Sequence, residues 1–287
     1  MTFTLEIDAA TCIRCGKCAK VCPSQVIVQQ EPGGPVSVPR PADCIRCGHC
    51  VAVCPTASVR HGLFPPETVH SADRTLLPSP EALMLLCRTR RSNRAFSRKP
   101  VPHEKLLQIL EAAHRAPTAS NRQQVAFTLV TDPAKLRFVS RFTLDTFAAV
   151  ARKLENPLLR PLLRRIAPDA YRYLPSFHRM QREYERGNDM ILRGATALIL
   201  IHTPRDNAFG TIDSNLAYQN GSLMAEALGV SQFWTGFVYM ALRHGKAERF
   251  RRELGIDGIV HAGMALGMPQ FLYPNYIDRR PIDLQEE

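Results

Sequence analysis

Eight of the nine cysteines stand in two short runs, CIRCGKCAKVCP at residues 12–23 and CIRCGHCVAVCP at residues 44–55, the second offset from the first by 32 residues. Each run reads C-x2-C-x2-C-x3-C-P. Thiolates this dense bind either zinc or an iron–sulfur cluster. Structural zinc usually takes two ligands from one knuckle and two from a distant one. Here three cysteines crowd onto one tight loop, which suits three irons of a cube. The fourth lies beyond reach, on the following helical turn. A disulfide framework needs an oxidising compartment. The opening MTFTLEIDAATC has no basic region followed by an apolar core, so no secretory signal is expected and a cytoplasmic location is the default.

This spacing resembles that of bacterial ferredoxins carrying two [4Fe–4S] clusters. It assigns Cys12, Cys15, Cys18 and Cys54 to one cluster, and Cys44, Cys47, Cys50 and Cys22 to the other. Gly16 and Gly48 let the loops turn where a side chain would crowd the cube. Pro23 and Pro55 redirect the chain after each crossing cysteine. Between the runs, Val26–Gln29 and Val36–Val38 read as short strands, joined by a turn at Pro32–Pro35. The ferredoxin-like domain covers residues 1–62, and His49 is read as a loop side chain beside the cluster rather than a ligand. Such a domain moves single electrons, so the bond chemistry belongs elsewhere in the chain.

Residues 63–80 are rich in proline and read as a linker. A helix follows, with Ser79 as N-cap, Pro80 at its first position and Glu81 in its first turn. Leu83, Leu86 and Cys87 share an apolar face, and Cys87 is expected to be a buried small hydrophobe. The helix runs into CRTRRSNRAF, where Arg90, Arg91, Ser92 and Arg94 combine guanidinium forks and a hydroxyl suited to a phosphate. An amphipathic helix over Val101–His114 ends at the loop RAPTASNRQQ, which leads into an apolar strand, Val125–Val130. Further on come ILRGATALILIHTP, DSNLAYQNGSLMAEALGVSQFWTGF, GIVHAGMALGMPQ and a tail with IDRRPID.

In this order, RRSNRAF, APTASNRQ, the Ala-rich helix and the late GMP resemble the nitroreductase family of FMN enzymes over residues 81–287. The resemblance implies an α+β architecture, a mixed sheet flanked by helices, and an intertwined homodimer with FMN at the interface. It implies that Arg90, Arg91, Ser92 and Arg94 hold the FMN phosphate and ribityl chain, with Arg279 or Arg280 of the tail closing that site. Pro117, Thr118, Ala119, Ser120 and Asn121 would border the flavin ring, from the same chain or its partner. Thr235 and Gly236 would present backbone N–H groups to it, and Arg122 is a candidate cation. Where the family has Pro-Trp after the loop glutamine, this chain has Gln124-Val125, which points to an altered substrate pocket. Residues 134–182 diverge, and Phe138, Phe142, Phe147, Tyr171, Tyr173 and Phe177 there either pack as ordinary helices or cover a pocket as a lid.

The bulk numbers fit this reading. The chain has 287 residues, 45% hydrophobic and 22% charged, with no apolar run that would span a bilayer. Its net charge of +11 carries no nucleic-acid motif and suits an acidic redox partner. The expectation is a flavin oxidoreductase fed through two clusters by ferredoxin or NAD(P)H, reducing nitroaromatics, quinones or activated alkenes. No side chain is needed as a nucleophile. Two other readings share the sequence: a different flavin reaction on this fold, and an electron-transfer or redox-sensing protein.

Overall fold

The computed structural model describes residues 3–287. The chain divides into two compact units, Met1–Leu77 with Ala119–Arg122, and Pro78–Thr118 with Gln123–Glu287.

The first unit is built from paired short elements. Strand β1 (Leu5–Ile7) leads to helix α1 (Lys17–Val21), β2 (Val28–Gln29), β3 (Val36–Ser37), α2 (His49–Ala52) and β4 (Val59–His61). Antiparallel β1 and β4 form one ribbon, and antiparallel β2 and β3 the other. Leu5, Cys18, Val26, Ile27, Cys50 and Val59 form its small core. Both helices open on a left-handed glycine, Gly16 at φ 69° and Gly48 at φ 73°, as the tight loops require. Strand β2 is shorter than the sequence suggests: its ladder with β3 begins at Val28, and Val26 and Ile27, just after Gln25 turns at φ 51°, are buried in the core outside it. The proline-rich stretch is not featureless: it holds two 3-10 turns, Pro66–Thr68 and Arg74–Leu76, and the Asp73 carboxylate caps the second by accepting from Thr75 N–H at 3.0 Å.

The second unit is a four-stranded antiparallel sheet between helical layers. Helices α3 (Pro80–Thr89) and α4 (His103–His114) precede β5 (Ala126–Val130). Then come α5 (Pro133–Glu155), α6 (Arg160–Ile166), α7 (Pro168–Glu185), β6 (Ala197–Thr203), α8 (Gly210–Ala227), β7 (Ser231–Trp234), α9 (Gly236–His244), α10 (Ala247–Leu254) and β8 (Ile259–Gly267). The strand order is β5-β6-β8-β7. Every residue of β6 is buried, as a central strand covered on both faces demands. Its side chains alternate between two cores. Leu198 and Leu200 meet Phe142, Phe147, Phe177 and Phe250 on one face, while Ala197, Ile199 and Ile201 meet Leu106, Ile109 and Ala225 on the other.

The divergent stretch is thus ordinary packing where it carries Phe142, Phe147 and Phe177, whereas Tyr173 is exposed. Local signals explain the helix starts. Ser79 Oγ accepts from Ala82 N–H at 3.2 Å ahead of Pro80, and Asp132 accepts from Ala134 N–H at 2.7 Å ahead of Pro133. One expectation fails. Cys87 is exposed, not buried, and Leu83 beside it is 48% exposed. Helix α3 has an apolar face of which Leu86 is half-buried, while Leu83 and Cys87 stay exposed among the described residues.

Two imidazoles are buried at one end of β6 and β8. His202 Nε2 meets Thr128 Oγ1 at 3.0 Å, while His261 bridges Thr203 Oγ1 at 2.9 Å and Thr211 Oγ1 at 3.0 Å. Burial lowers both ionisations below the ordinary histidine value. A depressed value in the folded state means that protons bind the unfolded chain more readily. The stability these groups contribute is therefore complete above about pH 6.5 and is lost as pH falls through the depressed folded values. We predict that the denaturant midpoint of this unit drops between about pH 7.5 and about pH 5, and that His261→Gln flattens the drop. An unchanged pH slope in that variant would refute the assignment.

Candidate functional site

Two groups of residues carry chemistry. The first is sulfur. Cys12, Cys15, Cys18 and Cys54 line one small cavity, and Cys22, Cys44, Cys47 and Cys50 line a second. Each cavity takes three cysteines from one run and its last cysteine from the other. The local chain explains this. The first three cysteines of a run sit on the loop and on the first turn of α1 or α2, while the fourth follows the helix and has moved to the opposite cavity. No three histidine, cysteine or carboxylate groups among the described residues close on a single-ion position. Four thiols ringed around a void suit a cube, whose irons hold the sulfurs well apart, better than a mononuclear zinc ion.

Backbone donors face these sulfurs. Val26 N–H lies 3.3 Å from Cys22 Sγ, Ser58 N–H 3.2 Å from Cys54 Sγ, and Arg46 N–H 3.3 Å from Cys44 Sγ. Burial pushes the Cys50 thiol up to about 11 and also raises Cys18. Burial raises Cys54 too, but donors from Thr56, Val59 and Ser58 outweigh it and the thiol ends below its ordinary value. His49 lines the second cavity without displacing any of its four thiols.

The second group is cationic and lies along β7. Ser92 pairs with Gln232 in a parallel bridge, and the Arg94 guanidinium sits 5.3 Å over the Phe233 ring. Asn93 ties this segment down: its amide donates to Phe271 O at 3.1 Å and accepts from Ala95 N–H at 3.0 Å. Tyr218, reaching from α8, donates to Gln232 Oε1 at 2.6 Å. Burial drives the Tyr218 phenol far above its ordinary range, and the nearby Arg90 and Arg94 charges pull only weakly the other way. Among the described residues no carboxylate pairs with Arg90, Arg91 or Arg94; Arg91 stacks over Tyr273 of the tail at 5.7 Å. Three guanidiniums without an acid could hold a polyanion.

Next to them, Gln232 Nε2 and Trp234 Nε1 are buried donors with no partner, which a folded chain rarely tolerates unless a ligand completes them. Strand β7 then delivers Thr235 and Gly236 to the start of α9. Thr235 N–H is already given to Gly263 O at 2.9 Å, so Gly236, whose N–H precedes the first bond of the helix, is the open donor of the two. Arg90, Ser92, Arg94, Thr235 and Gly236 are therefore brought to one strand. Tyr218, Gln232 and Trp234 join them and were not singled out from sequence. A glutamine inside the apolar strand SQFW was the signal available.

The remaining expected residues stand apart. Arg279 and Arg280 lie in the exposed tail. Pro117 and Thr118 belong to the second unit, whereas Ala119, Ser120 and Asn121 group with the first, along with Arg122. Ser120, Asn121 and Gln123 all have φ near +50° (51°, 51° and 50°), a strained run for residues with side chains. Asn121 Nδ2 donates to Arg46 O at 2.8 Å and Ile45 O at 3.3 Å, in the loop between Cys44 and Cys47.

The nitroreductase family model matches residues 87–268, and the 4Fe-4S dicluster domain model matches residues 4–55. The chain belongs to the nitroreductase family and is an oxidoreductase with an N-terminal 4Fe–4S dicluster domain. Solved structures agree on the fold. A nitroreductase with bound FMN from Desulfitobacterium hafniense gives a TM-score of 0.55 at 22% identity, covering 71% of this chain and 97% of that one. A nitroreductase with bound FMN from Bacteroides fragilis gives 0.52 at 22% identity, covering 71% and 98%. A BluB-like flavoprotein from Clostridium difficile gives 0.52 at 18% identity, covering 69% and 94%. No curated protein matches the chain. No helix of the described residues is long and apolar enough to cross a membrane.

Proposed function

We propose that this oxidoreductase takes in electrons singly through two [4Fe–4S] clusters and delivers them in pairs, through FMN, to a small electrophile such as a nitroaromatic, a quinone or an activated alkene. The observation that carries the flavin half is the set of guanidiniums without carboxylate partners beside the buried, unpartnered amide and indole donors of Gln232 and Trp234. A phosphate satisfies the first set and a polar ring edge the second. The observation that carries the cluster half is the crossed grouping of eight thiols around two cavities.

In this reading Arg90 and Arg94 hold the phosphate, with Ser92 and Arg91 beside them, and Arg279 or Arg280 closes the site. Gln232, Trp234 and the Gly236 N–H donate to the ring system, whose borders Pro117, Thr118, Ala119, Ser120 and Asn121 complete in the assembled protein. FMN converts one-electron input into two-electron output, which side chains alone do not do. The protein's part is anchoring and charge. Cations and N–H donors favour the ring when it gains negative charge, and the neutral, deeply buried Tyr218 phenol fixes the Gln232 amide that faces it.

A homodimer belongs to this proposal. Leu83, Met84 and Leu85 of α3 and Phe271, Leu272, Tyr276 and Ile277 of the tail are exposed, an apolar surface of the kind a second copy covers. A solution mass equal to one chain would remove that part. The donor is an acidic one-electron carrier of the ferredoxin kind or NAD(P)H, and the net charge of +11 favours the former.

Two measurements test the proposal. Arg90→Ala and Arg94→Ala should each weaken FMN binding by about 10- to 100-fold, the scale of a charge-assisted hydrogen bond, and leave the iron content unchanged. Anaerobic stopped-flow should show dithionite-reduced protein reoxidised by at least one quinone, nitro compound or enone. If none reoxidises it, the protein is a relay or a sensor rather than a reductase.

A further inference from the structure

The two cysteine runs are copies at a fixed offset, so residues around one cavity have counterparts around the other. Most counterparts behave alike. Gly16 and Gly48 open their helices in the same left-handed conformation, and Gln25 and Ala57 both sit at φ 51°. Val26 and Ser58 give equivalent backbone N–H groups to the crossing sulfurs, at 3.3 and 3.2 Å.

The side chains at one pair of positions face different groups. Gln29 in the first copy stands where His61 stands in the second. The Gln29 amide gives its protons to carbonyls, Arg14 O at 2.8 Å and Gly34 O at 2.9 Å. His61 instead points Nε2 at Cys44 Sγ, 3.8 Å away. Leu63 N–H donates to His61 Nδ1 at 3.1 Å. A ring nitrogen that accepts carries no proton, so the imidazole is neutral and its single N–H is on Nε2, facing the sulfur. The ring is held in that pose. It stacks on Phe3 at 4.6 Å and 5°, packs against Phe64 at 4.8 Å, and is 4% exposed. On the other side the nearest analogue is the Thr56 hydroxyl, 3.7 Å from Cys54 Sγ, which is also engaged with Ser58 Oγ at 2.7 Å.

We propose that His61 is a positioning residue that raises the reduction potential of the cluster held by Cys22, Cys44, Cys47 and Cys50, through an N–H···S bond to Cys44 that the other cluster lacks. The inference rests on the ligand assignment above. Reduction adds negative charge that spreads onto the thiolate sulfurs. A donor fixed on one of them stabilises the reduced state, and does so more strongly where water is excluded. An electron entering the pair of clusters then comes to rest preferentially on this one.

The test is an anaerobic potentiometric titration of the full-length protein, followed by EPR, with iron content measured alongside. His61→Gln installs the residue the first copy uses. His61→Phe keeps the stack and deletes the donor. In both variants one midpoint potential should fall while the other stays, with iron content unchanged. Two intact clusters with unmoved potentials overturn the inference alone. A wild-type protein without the second cluster overturns the ligand assignment and the inference with it. Should both variants shed the cluster, His49→Ala protein labelled with heavy nitrogen in its histidines decides the matter. Pulsed EPR should show an imidazole nitrogen coupled to one reduced cluster, and its absence overturns the proposal.

Discussion

A short loop cannot wrap a cube. Three cysteines spaced by two residues reach three corners, and the chain must then leave as a helix, carrying its fourth thiol away. That constraint explains why the first unit has two runs rather than one, and why Cys22 and Cys54 each line the cavity of the other run. It ties the halves of a unit whose apolar core is only a handful of side chains, two of them cysteines. Small domains of this kind need a staple beyond hydrophobic burial, and the eight sulfurs supply one.

The second unit solves the opposite problem. It has apolar material enough to bury β6 and β8 on both faces. The polar groups proposed to serve its function are held at the edge strand. Strand β7 runs antiparallel to β8, Ser92 lies beside it, and α9 starts where it ends. One strand thus gathers arginines, a glutamine amide, an indole and an open helix N-terminus. Among the described residues the arginines lack carboxylate partners, and Gln232 Nε2 and Trp234 Nε1 lack acceptors. That is costly in an apoprotein and useful where an anionic, hydrogen-bonding cofactor is to be held.

What the sequence disclosed follows the range of the interactions. Cysteine spacing, the Ser79-Pro80-Glu81 helix start and the unbroken ALILIHT strand are local, and each is where the residues indicate. His202, near the end of that strand, is buried against Thr128. The cluster of Tyr218, Gln232 and Trp234 was hidden because Gln232 and Trp234 read as members of an apolar strand, and only the fold lays Tyr218 of the preceding helix α8 against Gln232. Cys87 was misjudged for a related reason. Periodicity marks a helix face as apolar but does not say whether the chain itself covers it. The aromatics of residues 134–182 could not be sorted between core and lid until α5 and α7 were seen packing Phe142, Phe147 and Phe177 together.

The crossed arrangement of thiols is the claim on which the electron-transfer reading stands, and it is open to a direct comparison. Cys54→Ala, Cys18→Ala and Cys50→Ala proteins, each reduced anaerobically, can be compared by the EPR spectrum of the cluster that survives. Crossed ligation predicts that Cys54→Ala leaves the same spectrum as Cys18→Ala, although Cys54 and Cys50 belong to one sequence run. A Cys54→Ala spectrum matching that of Cys50→Ala would contradict it.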